Sequence, residues 1–132
     1  MHGESNTWFN LVSDRRTSVN AQYVGLNSQL NIIDEIAIRT VDRQGSCVEI
    51  GVSIESGCSA TVNGIETGRY ARNGIDVRVS LSSRRVRVSV PNAGDTSLVM
   101  WVSCELQEFR VFRAGRSTID VITADDIKFT DM

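Results

Sequence analysis

The stretch Gly74-Ile75-Asp76-Val77-Arg78-Val79-Ser80-Leu81-Ser82-Ser83-Arg84-Arg85-Val86-Arg87-Val88-Ser89-Val90 decides how this chain folds. Ile75, Val77, Val79 and Leu81 form one side of an alternation whose other side is Asp76, Arg78 and Ser80. Beyond a polar turn at Ser82, Ser83 and Arg84 the pattern resumes. Val86, Val88 and Val90 point one way, Arg85, Arg87 and Ser89 the other. Successive side chains of an extended strand point to opposite faces, so this period predicts a hairpin with one apolar and one wet face. Pro91 has no N–H to give to a ladder and is expected to end the second strand.

The same rhythm runs outward in both directions. Val48, Ile50, Val52 and Ile54 alternate with Glu49, Gly51 and Ser53, and Ser56-Gly57 then turns the chain. Ala60 and Val62 lead to Asn63-Gly64, and Asn73-Gly74 repeats that signal; both residue types tolerate the positive φ of a tight hairpin. Leu98, Met100 and Val102 alternate with Val99, Trp101 and Ser103. Apolar residues on both faces predict a central strand covered on both sides, with Trp101 in the core. Phe109 to Arg113 reads as another strand, closed by Gly115. Upstream, Trp8 to Val12 and Ser18 to Val24 read as strands around a turn at Asp14-Arg15-Arg16. Asn31 to Thr40 suits a helical period through Ile32, Ile33 and Ile36, but its β-branched load favours a strand. Thr123 to Phe129 carries the other helical hint, a single turn. The expectation is an all-β, antiparallel β-sandwich of roughly nine to eleven short strands, a single domain over residues 1–132.

A chain of 132 residues can bury enough surface to fold without a metal or a disulfide. Its net charge of −2 gives no bulk attraction to nucleic acid, and none is expected as a partner. No apolar run is long enough for a membrane-spanning helix, and the opening Met1 to Phe9 lacks the apolar core of a secretion signal, so the chain reads either as cytosolic or as an excised piece of a longer secreted chain. Positive charge is carried by thirteen Arg and the single Lys128. That bias suits either compositional drift or a surface of Arg forks for carboxylates or sulfates.

The lone His2 sits near the start of the chain, which argues against Ser/His/Asp or Cys/His catalysis and against a structural zinc site. No nucleotide-type Gly-rich loop is present, and no cofactor is expected. Three carboxylate pairs, Asp34 with Glu35, Glu105 with Glu108 and Asp125 with Asp126, read as surface charges, so the chain is expected not to be an enzyme. Asp125, Asp126 and Asp131 are weak calcium candidates without the spacing or glycine of a calcium loop; no metal site is expected. The binding candidates are Arg78, Arg85 and Arg87, with Arg84 at their turn, and Trp8 as a sugar platform. The Arg set suits an anionic polymer, or is the solvated face of an amphipathic hairpin. With no aromatic residue interleaved among them, stacking of single-stranded nucleic acid is disfavoured. Cys47, Cys58 and Cys104 leave open one bridge plus a free thiol, a bond to another chain, or three reduced thiols.

The segment from Val48 to Arg113 resembles the middle of a von Willebrand factor type D domain. The motifs that carry the likeness are Ala60-Thr61-Val62-Asn63-Gly64, Gly74-Ile75-Asp76-Val77, Val86-Arg87-Val88 and Val99-Met100-Trp101. Phe9-Asn10-Leu11-Val12-Ser13-Asp14 and Val19-Asn20-Ala21-Gln22-Tyr23-Val24-Gly25 are similar to the related plant root-cap-type and invertebrate matrix proteins. The G-D-P-H opening and G-L-C-G-N closing motifs are absent, so the family's calcium binding and disulfide-driven multimers carry over to no residue here. The resemblance implies a β-sandwich that serves outside the cell, within a longer secreted chain, in adhesion or matrix assembly, through protein partners or self-association. The alternatives are a carbohydrate-binding sandwich, which predicts an exposed aromatic such as Trp8 or Tyr70, and a non-catalytic fragment of a larger secreted enzyme.

Overall fold

The computed structural model describes residues 7–13, 16–25, 31–54, 57–92, 96–105, 108–114 and 119–123. These hold twelve strands: β1 (Thr7–Ser13), β2 (Ser18–Gly25), β3 (Asn31–Val41), β4 (Cys47–Ser53), β5 (Ser59–Val62), β6 (Ile65–Thr67), β7 (Arg69–Arg72), β8 (Ile75–Ser80), β9 (Arg85–Pro91), β10 (Ser97–Ser103), β11 (Glu108–Ala114) and β12 (Ile119–Thr123). Each sheet is a six-stranded antiparallel meander: β1 to β6 make sheet A, β7 to β12 make sheet B. Among the described residues there is no helix, so none is long and apolar enough to cross a membrane. The all-β, two-sheet sandwich is the architecture the alternation demands. Asn31 to Val41 is strand throughout, as the β-branched load requires. The helical hint after Thr123, the turn residues Asp14 and Arg15, His2, Gly115, and the calcium candidates Asp125, Asp126 and Asp131 lie outside the described residues.

Apolar residues at every second position of both meanders close on one core. Val19, Ile36, Ile38, Ile50 and Val52 come from sheet A; Ile75, Val77, Val86, Val88, Leu98, Met100 and Phe109 come from sheet B. The chain changes sheet at Gly68, between β6 and β7. Thr67 marks the crossing: its Oγ1 donates to the Arg69 carbonyl at 2.8 Å and accepts from the Arg69 N–H at 3.2 Å. The Gly68 carbonyl accepts from the Val79 N–H at 2.9 Å, tying the corner to β8.

Both Asn-Gly pairs turn as their composition requires, with φ of 50° and 85° at Asn63-Gly64 and 52° and 86° at Asn73-Gly74. Gly74 is demanded twice. A Cβ there would lie 2.8 Å from Arg43 Nε and 2.9 Å from Pro91 Cγ. The β8–β9 turn differs from expectation in one residue. Leu81 belongs to the four-residue turn and is 76% exposed, so the apolar face of β8 ends at half-buried Val79. The turn closes on Ser80, whose Oγ accepts from the Ser83 hydroxyl at 2.7 Å, and on Arg84 at φ 52°.

The cysteine alternatives resolve to one bridge. Cys58, just before β5 of sheet A, joins Cys104, just after β10 of sheet B, with Cα atoms 5.7 Å apart. Both are buried at one end of the core. Cys47 is exposed and unpaired.

Candidate functional site

The outward residues of sheet B are set by its register. Val77, Val88, Met100 and Val111 point into the core, so their strand neighbours point out. Reading across the strands, Arg69 is opposite Arg78, Arg78 opposite Arg87, Arg87 opposite Trp101, and Trp101 opposite Arg110. Four Arg and one Trp thus form a single row across five strands. Adjacent strands lie about 4.8 Å apart, so the row is roughly 19 Å long. Arg85 lies in the next row, opposite Ser103, which is opposite Glu108.

The structure brings Arg78, Arg85 and Arg87 onto one face, as the alternation requires. It places Trp101 differently. Trp101 stands on the outer face of β10, half-buried, with the Arg85 guanidinium 4.5 Å and the Arg87 guanidinium 5.7 Å from its ring centroid. The strand β10 is central but is fully covered on its core face only. Leu98, Met100 and Val102 are buried there, whereas Val99, Trp101 and Ser103 are half-buried on the other side. The physical reason is that the Arg85 and Arg87 guanidinium groups lie over the indole and give it partial cover that needs no third layer. An aromatic therefore does lie among the Arg side chains; it comes from the neighbouring strand.

Two of the Arg are engaged by carboxylates. Arg78 Nε pairs with Asp76 Oδ1 at 3.1 Å and Arg110 with Glu108 at 3.2 Å. Among the described residues no carboxylate pairs with Arg69, Arg85 or Arg87. Between the turn before β9 and the start of β11 the face dips into a shallow depression of about 450 Å³, lined by Arg85, Trp101, Ser103, Glu105, Glu108 and Arg110. Arg69, Trp101 and Arg110 escape a reading of the single hairpin. The signal for Trp101 is its phase, one residue away from Leu98, Met100 and Val102.

Trp8 is not part of this face. It lies opposite Gln22, and on β2 Ala21, next to Gln22, and Val19, in phase with Ala21, are buried, so Trp8 stands on the outer face of sheet A, 46% exposed. Tyr70 is half-buried and packs against the core. On β3, Asp34 falls at a bulge, between Glu35 opposite Gln22 and Ile33 opposite Tyr23, and both Asp34 and Glu35 are half-buried. Glu105 and Glu108 do share the depression, where Glu108 is held by Arg110. Among the described residues no group of three His, Cys, Asp or Glu is placed to hold a metal. Buried Asp42 is a structural carboxylate: Oδ1 accepts from the Gln44 and Ser46 N–H groups, each at 2.9 Å, and closes the β3–β4 turn.

Among the described residues each sheet has one end remote from the Gly68 corner, formed by β1 and by β12. The corner strands β6 and β7 carry Glu66, Arg69 and Arg72; β1 carries no charge and β12 only Asp120. A bulge between Asn10 and Val12 interrupts β1, and Asn10 Nδ2 donates to the Val12 carbonyl at 3.1 Å and to Asn20 Oδ1 at 3.0 Å. Compared with protein-family models, curated proteins and solved structures, the chain gives no match.

Proposed function

We propose that this chain is a non-catalytic interaction or assembly module of secreted, extracellular structures, resembling a von Willebrand D-type domain. The observation that carries this reading is the contrast between its sheet edges. Unpaired strand edges invite pairing with another chain, and folded proteins guard them with charge, proline or bulges. The corner is guarded by Glu66, Arg69 and Arg72; at the other end β1 has only its bulge and no charge, and β12 the single charge of Asp120. Addition of a strand from a second copy at that end would extend either sheet. The Cys58–Cys104 bridge supports an oxidising compartment. The exposed Cys47 offers a thiol for a covalent link between associated copies.

Sedimentation velocity over a wide concentration range, with and without reductant, tests the proposal. Association that weakens in the double variant Trp8→Lys/Ser13→Lys supports it, since both positions are exposed on β1. A strict monomer at the highest soluble concentration overturns it. One observation favours a second reading, carbohydrate binding: Trp8 is exposed beside the polar Gln22. A glycan array on which the parent shows no signal removes that alternative.

A further inference from the structure

We propose that the row Arg69–Arg78–Arg87–Trp101–Arg110, with Arg85 beside it, is a binding site for a linear sulfated polysaccharide. The first argument is cost. Like charges directly opposite on neighbouring strands destabilise a sheet, yet Arg69, Arg78 and Arg87 stand side by side on three successive strands. The chain as a whole is slightly acidic, at −2, so this concentration is local and not a reflection of bulk charge. The second is unused capacity. Among the described residues Arg69, Arg85 and Arg87 have no carboxylate, and a guanidinium presents donors in a planar fork that matches sulfate or carboxylate oxygens.

The third argument is preorganisation. Trp101 holds the Arg85 and Arg87 heads at 4.5 and 5.7 Å from its ring. Less side-chain freedom is then lost when an anion arrives. The fourth is shape. A row of roughly 19 Å across five strands suits an extended chain with repeated anions, and the depression beside Trp101, lined by Glu105 and Glu108 as well as Arg85 and Arg110, offers a recess to the uncharged part of one sugar ring. An acidic peptide is a poorer fit. Extended peptides gain affinity from main-chain pairing, and in the middle of sheet B the backbone groups are already used by the ladders on both sides. The choice of a sulfated glycan over a nucleic acid rests on the extracellular reading above.

The test is retention of the full chain on immobilised dextran sulfate, beside neutral dextran, polyglutamate and a single-stranded DNA oligonucleotide. Binding to dextran sulfate that falls with salt is expected, with none to neutral dextran and weaker binding to the other two. The triple variant Arg69→Gln/Arg78→Gln/Arg87→Gln is expected to lose affinity on the order of tenfold or more. Arg39→Gln, on the outer face of sheet A, is expected to change nothing. Removing facing positive charges is not expected to unfold the sheet, so a thermal melt of the triple variant serves as its folding control. Unchanged affinity in a folded triple variant overturns the proposal, as does equal retention on neutral dextran or polyglutamate. Preference for DNA overturns the assigned ligand class. If Trp8→Lys/Ser13→Lys abolishes association but keeps dextran sulfate binding, the two surfaces are separate; dextran sulfate binding lost with association intact overturns the polysaccharide site alone.

Discussion

Removing the Cys58–Cys104 bridge is the sharpest test of how the two sheets are held. The bond spans a sequence separation of 46 residues and closes a loop that contains β5 to β10, including the crossing at Gly68. Cross-linking restricts the unfolded chain. For a loop of this length the chain-entropy relation gives about 4 kcal/mol at 25 °C. With the usual unfolding entropy per residue, the melting temperature should fall by about 14 °C. The double variant Cys58→Ala/Cys104→Ala, made in a Cys47→Ser background to prevent thiol exchange, should therefore unfold at lower urea than its Cys47→Ser parent. Because its unfolded state is free to expand, its dependence on denaturant should steepen. Equilibrium unfolding followed by tryptophan fluorescence measures both quantities, and the parent treated with reductant should approach the variant. A loss below about 1 kcal/mol, with no change of slope, would refute the reasoning, because a bridge across this loop cannot be thermodynamically silent on that account.

Two further substitutions test the packing. Gly74→Ala must hold an L-residue at φ +86° and push its Cβ against Arg43 and Pro91, so it should destabilise by about 2–3 kcal/mol. Gly64→Ala has the same backbone problem at φ +85° but open space around the Cβ, so it should cost only about 1–2 kcal/mol; equal losses in urea melts would show that the Arg43 and Pro91 contacts do not matter. Met100→Ala, fully buried on the core face of β10, should cost about 2–5 kcal/mol. Trp101→Ala, one position on and facing outward, should cost less than Met100→Ala despite the larger side chain; the reverse order in thermal melts would place the indole in the core.

Much of this architecture is legible in residue order because the sandwich is built from local hairpins. Ile75 to Val90 and the two Asn-Gly turns need no distant information: alternation sets the faces and positive φ sets the turn residues. Leu81 shows where a local reading stops. Its phase matches Val79, but the chain leaves the strand at Ser80 to make the turn on the Ser80 hydroxyl, and phase has no meaning once pairing ends.

Trp101 shows a different limit. Its phase places it outside, while its chemistry argues for the core; the conflict is settled by Arg85 and Arg87 on the neighbouring strand, whose guanidinium groups meet its face with charge. Those partners are legible only after β9 and β10 are placed in register, since a slip of one residue would put Trp101 and the two Arg on opposite faces. The Cys58–Cys104 pairing is further removed still, for it depends on two meanders folding back on each other at Gly68, and the Thr67 hydroxyl that marks this corner resembles an ordinary polar turn. The Arg row is the same kind of object. Each guanidinium alone is a solvated residue on a wet face, and a polyanion surface exists only because five strands bring Arg69, Arg78, Arg87, Trp101 and Arg110 into one line.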